Sequence, residues 1–345
     1  MKLLVVGCGN QGASHARAAA KIEGVEIAAL VDLDRAKRAD LAAELGVRAQ
    51  YDSYRQALAE VGPEAVSIST WPDTHAEFAL GALQAGAHVF VEKPLGRTAA
   101  EAEEVVATAA EAKRKLYVGY ILRSHPGWMR FIEIGRTLGR PLVMRMNLNQ
   151  QSRGPTWEVH KQLMASMSPI VDCGVHYVDV MSQLTGARPD RVHAIGVRLS
   201  GEIDREMYNY GQLQVVFDDD SIGWYEAGWG PMMSEAAFFV KDLVGPLGSL
   251  TIESEGAKPG RSDDITAHIM TSRLRLHRTR GGPDEIIEIE EEPDHQGMCD
   301  RQQEIFFAAI AEDRDLAAHH RAVLDSLRIV LAADQSIREG RAIEL

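Results

Sequence analysis

The sequence predicts an α/β protein with two domains, the first built on a parallel sheet and the second on a large, mostly antiparallel open sheet. Strand and helix patterns alternate through residues 1–122, and a glycine-rich turn follows the first strand. Neighbouring strand patterns without helices between them fill residues 192–289. A chain of 345 residues also exceeds what one ordinary hydrophobic core organises. We therefore expect domains over residues 1–122 and 123–345, the last helix being able to pack back on the first domain.

In the first domain, apolar runs typical of strands alternate with segments of helical period. The predicted strands cover residues 3–6, 25–31, 65–69, 88–91 and 116–118, and the predicted helices cover residues 14–21, 35–45, 54–61, 74–85 and 99–112. Because helices connect these strands through short links, we expect a parallel sheet with helices on both faces.

The pattern changes after Arg123, and a segment punctuated by four prolines is interpreted as irregular up to a helix over residues 169–184. These prolines are Pro126, Pro141, Pro155 and Pro169. The strands that follow are predicted over residues 192–197, 211–217, 221–225, 236–240, 249–252, 273–277 and 285–289, and helices over residues 302–311 and 320–339 close the chain. Strands that follow one another without helices indicate antiparallel pairing.

Charge and composition exclude several classes of partner. The formal net charge is −13, which disfavours both a nucleic-acid backbone and an anionic membrane surface. No apolar run approaches the ~20 residues that span a bilayer, and the short apolar start lacks the features of a signal peptide. The three widely spaced cysteines suggest reduced thiols, so we expect a cytoplasmic protein.

The stretch Gly7-Cys8-Gly9-Asn10-Gln11-Gly12 fits the pattern G-x-G-x-x-G between a strand and a helix. Glycines permit a tight turn and close approach to a pyrophosphate, which the helix N-terminus then faces. Asp32 ends the next strand and is placed to bind ribose hydroxyls, which favours NAD. Arg35 and Arg38 lie just downstream, so NADP stays possible. The alternative is a glycine turn that binds no nucleotide.

Residues 89–96, VFVEKPLG, bring a buried strand to an abrupt stop on charged residues. Ligands bind at the carboxyl ends of parallel strands, so Lys93 is a candidate for holding a substrate oxygen as negative charge develops on it. Pro94 disfavours helical geometry at Lys93. The alternative is an exposed lysine in a turn, and no chemical step is assigned to Glu92.

Asp172 and His176 lie four residues apart on a predicted helix and therefore share one face. Histidine suits proton transfer near neutral pH, and Asp172 could orient the imidazole or contact the substrate. The alternatives are metal ligation and a buried structural histidine. No third ligand with convincing spacing accompanies the pair, so we predict no metal site.

Together these features resemble the glucose–fructose oxidoreductase, inositol dehydrogenase and rhizopine-catabolism (Gfo/Idh/MocA) family over nearly the whole chain. The resemblance depends on the glycine motif, on STWPDTH at residues 69–75, on EKP at residues 92–94 and on DCGVHYVD at residues 172–179. It implies a Rossmann domain followed by an α/β domain with a mostly antiparallel sheet. It also implies hydride transfer between a nicotinamide and a hydroxyl carbon, commonly of a sugar or cyclitol, and a homodimer or homotetramer.

The resemblance also implies roles for individual residues. His176 is the implied base, with Asp172 beside it, and the bond between Lys93 and Pro94 is expected to be cis. The crossover segment with Tyr120 and Arg123 is expected near the nicotinamide. The implied cofactor contacts are Gly7, Gly9, Asn10, Gln11, Gly12, Asp32, Thr70, Trp71, Pro72, His75, Glu92 and Lys93.

Two departures from the family pattern bear on these contacts. Trp71 replaces the first proline of a Thr-Pro-x-x-x-His loop, and residues 167–169, Met-Ser-Pro, stand where the family often has Gly-Gly. Trp157, His160 and Lys161 precede the Asp172 helix and are candidate polyol contacts, since aromatic faces suit sugar C–H surfaces and polar groups bind hydroxyls. The alternative for these three is packing or a solvated surface.

We expect an NAD-dependent dehydrogenase that acts on the CH–OH group of a sugar, cyclitol or related polyol. One alternative is a redox-neutral reaction, in which oxidation at one carbon permits elimination at its neighbour and the cofactor is restored. A second alternative is a non-catalytic sensor of NAD or a metabolite. The sequence does not identify the substrate.

Overall fold

The computed structural model describes residues 1–234, 239–253 and 265–345, and the chain divides into two compact units. The first unit contains Met1–Ser124 and Pro293–Leu324. The second contains His125–Glu292 and Asp325–Leu345. Each unit is therefore assembled from two separate stretches of the chain.

The first unit is built on a parallel sheet in which described strands follow the order β3-β2-β1-β4-β5-β6. The strands are β1 (Lys2–Val6), β2 (Glu26–Val31), β3 (Gln50–Tyr51), β4 (Ala65–Ile68), β5 (His88–Glu92) and β6 (Leu116–Gly119). The strand order reverses at β1 and β4. Ligands bind at such a switch point, outside the carboxyl ends of the strands.

Five helices connect these strands, as the sequence predicts. They are α1 (Asn10–Ala19), α2 (Arg35–Leu45), α3 (Tyr54–Val61), α4 (Pro72–Gln84) and α5 (Ala99–Ala112). The side chains of Asp34, Ser53 and Thr98 accept N–H hydrogen bonds at the starts of α2, α3 and α5. A short 3-10 turn, Ile121–Arg123, follows β6.

The segment predicted as irregular contains regular helices, so that interpretation is wrong. Pro126 and Pro155 are the first residues of α6 (Pro126–Gly135) and α7 (Pro155–Leu163), while α8 (Pro169–Thr185) begins at Pro169 and confirms the helix predicted over residues 169–184. Proline fits this position because its missing N–H has no intrahelical partner there and its φ is already helical. A fourth short helix, α9 (Ile265–Ile269), follows later in the unit.

The second unit is built on a sheet with the described strand order β14-β13-β12-β11-β7-β10-β9-β8-β15. The strands are β7 (Val143–Gln151), β8 (Pro189–Val197), β9 (Tyr210–Phe217), β10 (Ile222–Gly230), β11 (Lys241–Gly245), β12 (Gly248–Glu253), β13 (Arg273–Arg278), β14 (Glu285–Glu288) and β15 (Ile343–Glu344). Among the pairs formed by these strands, β7 and β10 run parallel and the others antiparallel. The predicted fold class is thus confirmed.

Three details of this sheet differ from the sequence-based expectation, the first being the short strand β15, which was not predicted. Residues 236–238 of the strand predicted over 236–240 lie outside the described residues, and the observed strand β11 begins at Lys241. The central strand β7 was not predicted, because its sequence VMRMNLNQQ contains asparagine and glutamine, which do not signal a strand.

Two helices close the chain, α10 (His295–Ala311) and α11 (Ala317–Glu339). Phe306 and Phe307 of α10 pack in the core of the first unit with Leu3 and Val5. Helix α11 begins in the first unit and ends in the second. No helix in the part of the chain that the structure describes combines the length and the hydropathy needed to cross a membrane.

Candidate active site

The glycine turn between β1 and α1 is tightly packed at two glycines and open at the third. A Cβ at Gly7 would lie 2.3 Å from the Ser69 carbonyl oxygen, and one at Gly12 would lie 1.9 Å from the Gly7 carbonyl oxygen. At Gly9 no atom lies within 4 Å of the added Cβ. Helix α1 carries no acidic residue in its first turn, so its N–H groups face a site suited to an anion. This cradle fits the diphosphate of a dinucleotide.

Asp32 fixes the rim of this cradle at the end of β2. Its Oδ2 accepts a hydrogen bond from the Cys8 N–H at 2.6 Å, and its Oδ1 accepts one from the Asp34 N–H at 2.8 Å. Burial, reinforced by the Asp32 charge, raises the pKa of the Cys8 thiol to about 12. The thiol therefore stays protonated, and the carboxylate is the charged group at this edge.

Arg38 is not directed outward as a phosphate-binding cation. Its guanidinium donates to the backbone carbonyl oxygens of Asp32 and Tyr51, the latter at 2.8 Å. Leu33, the residue directly after Asp32, is 88% exposed and brings no charge. The geometry at the end of β2 therefore suits an unphosphorylated ribose better than a 2′-phosphate.

The loop after β4 is tied to the loop after β5 by His75. The buried imidazole lies with Nδ1 2.8 Å from the Pro94 carbonyl oxygen and with Nε2 3.1 Å from the Thr70 carbonyl oxygen. Burial lowers the pKa of His75, so the neutral ring donates its single N–H to one of these carbonyls. Trp71 is partly exposed at the start of α4, and Pro72 is the first residue of that helix.

Lys93 leaves the end of β5 through a cis peptide bond to Pro94, which confirms the predicted isomer. Its side chain is partly exposed, whereas the side chain of Glu92 is buried. The carboxylate of Glu92 contacts Gln11 and His15 of α1. The structure thus brings the glycine turn, Asp32, the Thr70–His75 loop and the Glu92–Lys93 pair to adjacent strand ends of one sheet.

Tyr120 and Arg123 begin the segment that follows β6. Tyr120 is buried, and its ring packs edge-on against His319 at 6.5 Å between ring centroids. Arg123 is half-buried in the 3-10 turn, and its charge contributes to a lowered pKa of His319, the larger cause being burial. Both residues belong to the first unit.

Asp172 and His176 lie on α8, which packs on β10, β9 and β7 of the second unit. Asp172 is buried in the first turn of the helix, where an acidic side chain is favoured by the helix dipole. It accepts a hydrogen bond from the Cys173 thiol at 3.5 Å. His176, one turn later, is half-exposed. The predicted shared helix face therefore carries one buried carboxylate and one accessible imidazole.

The N-terminus of α8 is anchored by a buried polar group that the sequence did not indicate. The Ser168 hydroxyl accepts from the Val171 N–H at 3.2 Å and donates to the Asp334 carboxylate at 2.8 Å. The Tyr208 hydroxyl donates to the same carboxylate. Burial raises the pKa of Asp334. Since Ser168 and Asp334 are 166 positions apart, no local pattern could have revealed this anchor.

The candidate residues of α7 divide into two groups. Lys161 bonds to Glu202 at 2.9 Å and Glu158 at 2.8 Å, and the Trp157 indole N–H donates to the same Glu202 at 3.3 Å. His160 instead stacks on Trp229, with 4.3 Å between ring centroids. Lys161 is therefore occupied by carboxylates, whereas His160 belongs to a buried aromatic stack.

Sequence reasoning missed three further residues of the second unit, namely Trp229, Gln150 and Lys241. The Trp229 indole N–H donates to Gln150 Oε1 at 2.9 Å, which extends the His160 stack to β7. Lys241 at the start of β11 is 1% exposed and donates to the backbone carbonyl of Asn147. Lysine is rarely buried, so the neighbouring residues in the sequence did not predict that Lys241 would be buried.

No group of three or more His, Cys, Asp and Glu side chains within residues 1–234, 239–253 and 265–345 is arranged to hold a metal ion. All three cysteines are buried thiols and none forms a disulfide.

Two family models match the chain and together span well over half of it. Residues 1–120 match the model described as an oxidoreductase family with an NAD-binding Rossmann fold. Residues 133–239 match the C-terminal domain of the GFO/IDH/MocA family. The two models correspond to the parallel sheet and to the first half of the mostly antiparallel sheet.

Individual relatives agree with this match. The UDP-N-acetylglucosamine 3-dehydrogenase of Acidithiobacillus ferrooxidans is 34% identical over 57% of this chain and 58% of the relative. The inositol 2-dehydrogenase of Acidiphilium cryptum is 33% identical over 53% of this chain and 54% of the relative. The matches thus span little more than half the length of these curated relatives.

Solved structures extend the likeness to the whole fold. The scyllo-inositol dehydrogenase of Lactobacillus casei, solved with NAD(H) and scyllo-inositol, superposes with a TM-score of 0.79 at 20% identity. That superposition covers 100% of this chain and 98% of the other. On the two family models and this shared fold, the chain belongs to the Gfo/Idh/MocA family of oxidoreductases.

Proposed function

We propose that the protein is an NAD-dependent oxidoreductase that transfers hydride between the nicotinamide and a hydroxyl carbon of a sugar, cyclitol or related polyol. The observation that carries this proposal is Lys93 at the end of β5, on the same sheet edge as the open glycine turn and the Asp32 carboxylate. Bound NAD supplies the hydride acceptor. The chain itself must supply a group that holds the substrate oxygen and a group that takes its proton.

Each role is assigned to a residue of suitable chemistry. Lys93 carries a compact positive charge suited to stabilising the substrate oxygen as its proton leaves. His176 accepts that proton, and its partial exposure gives the proton a route to water. Asp172 lies one turn before His176 on α8 and is assigned to orient the imidazole or to contact the substrate.

NAD is proposed over NADP because Asp32 presents a carboxylate at the end of β2 and Arg38 donates to backbone carbonyls. Arg35 is exposed at the start of α2 and is the cation through which NADP stays possible. Asp32 is assigned to the ribose hydroxyls, and Gly7, Gly9, Asn10, Gln11 and Gly12 to the diphosphate. Thr70, Trp71, Pro72 and His75 are assigned to the neighbouring cofactor loop.

The substrate class is supported by the relatives, which are named as dehydrogenases of inositol and of a UDP-linked amino sugar. Their names do not favour the redox-neutral or sensor alternatives. His160 remains a candidate substrate contact, and its ring stacks on Trp229 in a buried position. Trp157, Lys161, Tyr120 and Arg123 remain candidate substrate contacts, and the division into residues 1–122 and 123–345 remains part of this proposal.

The test compares turnover of wild-type protein with the variants Lys93→Ala and His176→Ala on a panel of glucose, myo-inositol, scyllo-inositol and sugar acids. NADH formation is followed by absorbance, with NAD and NADP in parallel. We expect each variant to lose about 10²–10⁴-fold in kcat, the usual contribution of a positioned proton-transfer or charge-stabilising group. The matched control Lys21→Ala changes an exposed side chain and should retain wild-type turnover. A wild-type rate in either active-site variant would refute the proposal.

A homodimer or homotetramer is proposed through the sheet face opposite α8. On that face Val143 pairs with Ile222 and Val244, and all three side chains are exposed. Ile195 and Val197 add exposed apolar surface on β8. Sedimentation of wild-type protein and of Val143→Glu/Ile222→Glu tests this, since only a face buried between copies makes that variant monomeric.

A cytoplasmic location is proposed from the three thiols.

A further inference from the structure

Glu92 is the last residue of β5, and both of its carboxylate oxygens are engaged. Oε1 lies 2.8 Å from His15 Nε2 and accepts from the Gln11 side-chain amide at 3.3 Å. Oε2 accepts from the backbone N–H of Lys93 at 3.2 Å. One carboxylate therefore bonds to the helix that follows the glycine turn and to the residue proposed to hold the substrate oxygen.

His15 gives this carboxylate a fixed partner. Its side chain is 0% exposed, and its ring packs against Phe90 with 4.5 Å between centroids. Nδ1 lies 3.1 Å from the side-chain nitrogen of Gln303 on α10. When that amide donates to Nδ1, the ring proton resides on Nε2 and points to Glu92. The orientation of the histidine is thus set from a third element of the fold.

The space for this arrangement is provided by Gly119 at the end of β6. A Cβ at Gly119 would lie 3.0 Å from Glu92 Oε1 and 3.2 Å from the carboxyl carbon. The carboxylate is therefore held on one side by donors and on the other by a position that admits no side chain without displacement.

We propose that Glu92 is a positioning residue, which holds the cofactor-binding helix α1 and the backbone of Lys93 in one geometry through bonds to His15, Gln11 and the Lys93 N–H. This inference rests on the proposed function, because Lys93 must take part in the chemistry for its placement to affect turnover. A carboxylate with a merely structural role would stabilise the fold without coupling cofactor affinity to kcat.

The first test is Glu92→Gln, which keeps the size of the side chain and removes one charged acceptor. Calorimetric titration with NAD should show a Kd raised about tenfold, and kcat on the best substrate of the panel should fall about 100-fold, the scale for a reacting group misplaced by about 1 Å. KM for that substrate should stay within about twofold. The control is Glu101→Gln, because Glu101 likewise accepts a backbone N–H, that of Arg97 at 2.8 Å, while its other oxygen bonds to the Arg97 guanidinium rather than to α1. It should match wild type in all three quantities.

The second test changes His15, which acts through Glu92. Asparagine places its amide near the Nδ1 position and loses the donor to Glu92, whereas glutamine extends an amide N–H toward the Nε2 position. His15→Asn should lower kcat in the same direction as Glu92→Gln, and His15→Gln should recover at least about tenfold of that loss. The double variant His15→Asn/Glu92→Gln should lose less than the product of the single losses, because both break one connection.

The outcomes separate this inference from the proposed function. Loss of turnover in Lys93→Ala together with wild-type Kd and kcat in a folded Glu92→Gln would overturn the positioning role and leave the function intact. Wild-type turnover in Lys93→Ala would refute the function. The NAD titration would then still decide whether Glu92 holds α1 in place for cofactor binding. An unchanged Kd for NAD in Glu92→Gln or in His15→Asn overturns that part of the inference. If Glu92→Gln does not fold, the two His15 variants decide the matter in the same way.

Discussion

Glu92 in the first unit and Lys241 in the second are both buried charged residues, but their surroundings differ. Glu92 bonds to three groups on two segments, the Gln11 and His15 side chains of α1 and the Lys93 N–H after β5. Lys241 donates to Asn147 and faces the rings of Tyr177 and Phe239 at 5.1 and 4.2 Å. Burial lowers the pKa of Lys241 to about 7, although the charge of Glu226 opposes this shift. The first charge is held by directed hydrogen bonds, while the second is retained against a desolvation cost.

The same contrast extends to the neighbours of each residue. Tyr177 and Tyr225 stack with 5.0 Å between ring centroids, and their buried hydroxyls have no hydrogen-bond partner among the residues that the structure describes. Around Glu92, by contrast, Gln11 and His15 both bond to the carboxylate, and Gln303 bonds to His15. Buried polar groups that have hydrogen-bond partners specify one geometry. Buried polar groups that are held only by packing can still bind water or change their protonation state.

The largest effect is expected on stability, where the tightly packed Gly12 differs from Gly9, which has open space beside it. Gly12→Ala places a Cβ 1.9 Å from the backbone oxygen of Gly7, so the turn must open. We expect a loss of about 3 kcal/mol or more in the free energy of unfolding of the ligand-free protein. Gly9→Ala meets no atom within 4 Å, so it should keep that stability and still weaken NAD binding. Urea unfolding and NAD titration of both variants measure this, and equal stability of the two would contradict it.

The next prediction concerns the pH dependence created by Lys241. Its folded pKa of about 7 lies below the ordinary value of 10.5, so between these values the unfolded chain binds more protons and stability rises with pH. From pH 6 to pH 9 this contributes about 2–3 kcal/mol, at about 1.4 kcal/mol per unit. Lys241→Met lacks this contribution, so its stability relative to wild type should be greatest at pH 6 and should decline toward pH 9.

Urea unfolding of wild type and Lys241→Met at several pH values measures that difference. Lys21→Met is the matched control, since Lys21 is exposed beside Asp300. A difference between wild type and Lys241→Met that stays constant from pH 6 to pH 9 would show that Lys241 remains charged in the fold.

A smaller effect is expected at the cofactor edge. Leu33→Arg adds a guanidinium at an exposed position next to Asp32, where Arg38 is already occupied by two carbonyls. The new cation can bind a 2′-phosphate, so the ratio of NADP to NAD affinity should rise about tenfold, or about 1.4 kcal/mol. Titration with both nucleotides measures the ratio. Leu33→Gln controls for the loss of leucine, and an equal rise in that variant would argue against a charge effect.

The smallest effect compares helix caps in the two units. Ser168 caps α8 and also bonds to buried Asp334, while Ser53 caps α3 near the surface with a bond to the Gln56 N–H at 3.3 Å. Ser168→Ala should cost about 1–2 kcal/mol of stability and Ser53→Ala about 0.5 kcal/mol. Thermal unfolding of the two variants tests this order, and a larger loss at Ser53 would reverse the comparison.

The sequence predicted the first unit well because most of its strands, helices and turns depend on residues that are close together in the chain. Each strand, helix and glycine turn is encoded within a few residues, so Gly7, Asp32 and Lys93 could be placed on one sheet edge from their positions at strand ends. The cis bond at Pro94 followed from the family resemblance and is confirmed. The roles assigned to Lys93, Asp172 and His176 stay predictions.

The second unit was harder to predict because its sheet joins distant segments. Strand β7 pairs with β10 and β11, which lie about eighty to a hundred residues away, and its polar residues become buried only when those strands are in place. The stack of His160 on Trp229 and the burial of Lys241 depend on such pairings. Periodicity predicts which residues share a face of one helix or strand. His160, Trp229 and Lys241 belong to three different elements, so periodicity could not bring them together.

The bond between His15 and Gln303 has a consequence for how the protein is made. The two residues are 288 positions apart, and α10 supplies Phe306 and Phe307 to the same core as β1. A ribosome that releases the N-terminal residues first must synthesise nearly the whole chain before this core can close. Until then the apolar surface of α1 stays uncovered by α10, so a growing chain carries an incomplete nucleotide-binding unit through most of its synthesis. Truncation after Ser124 would leave it permanently in that condition.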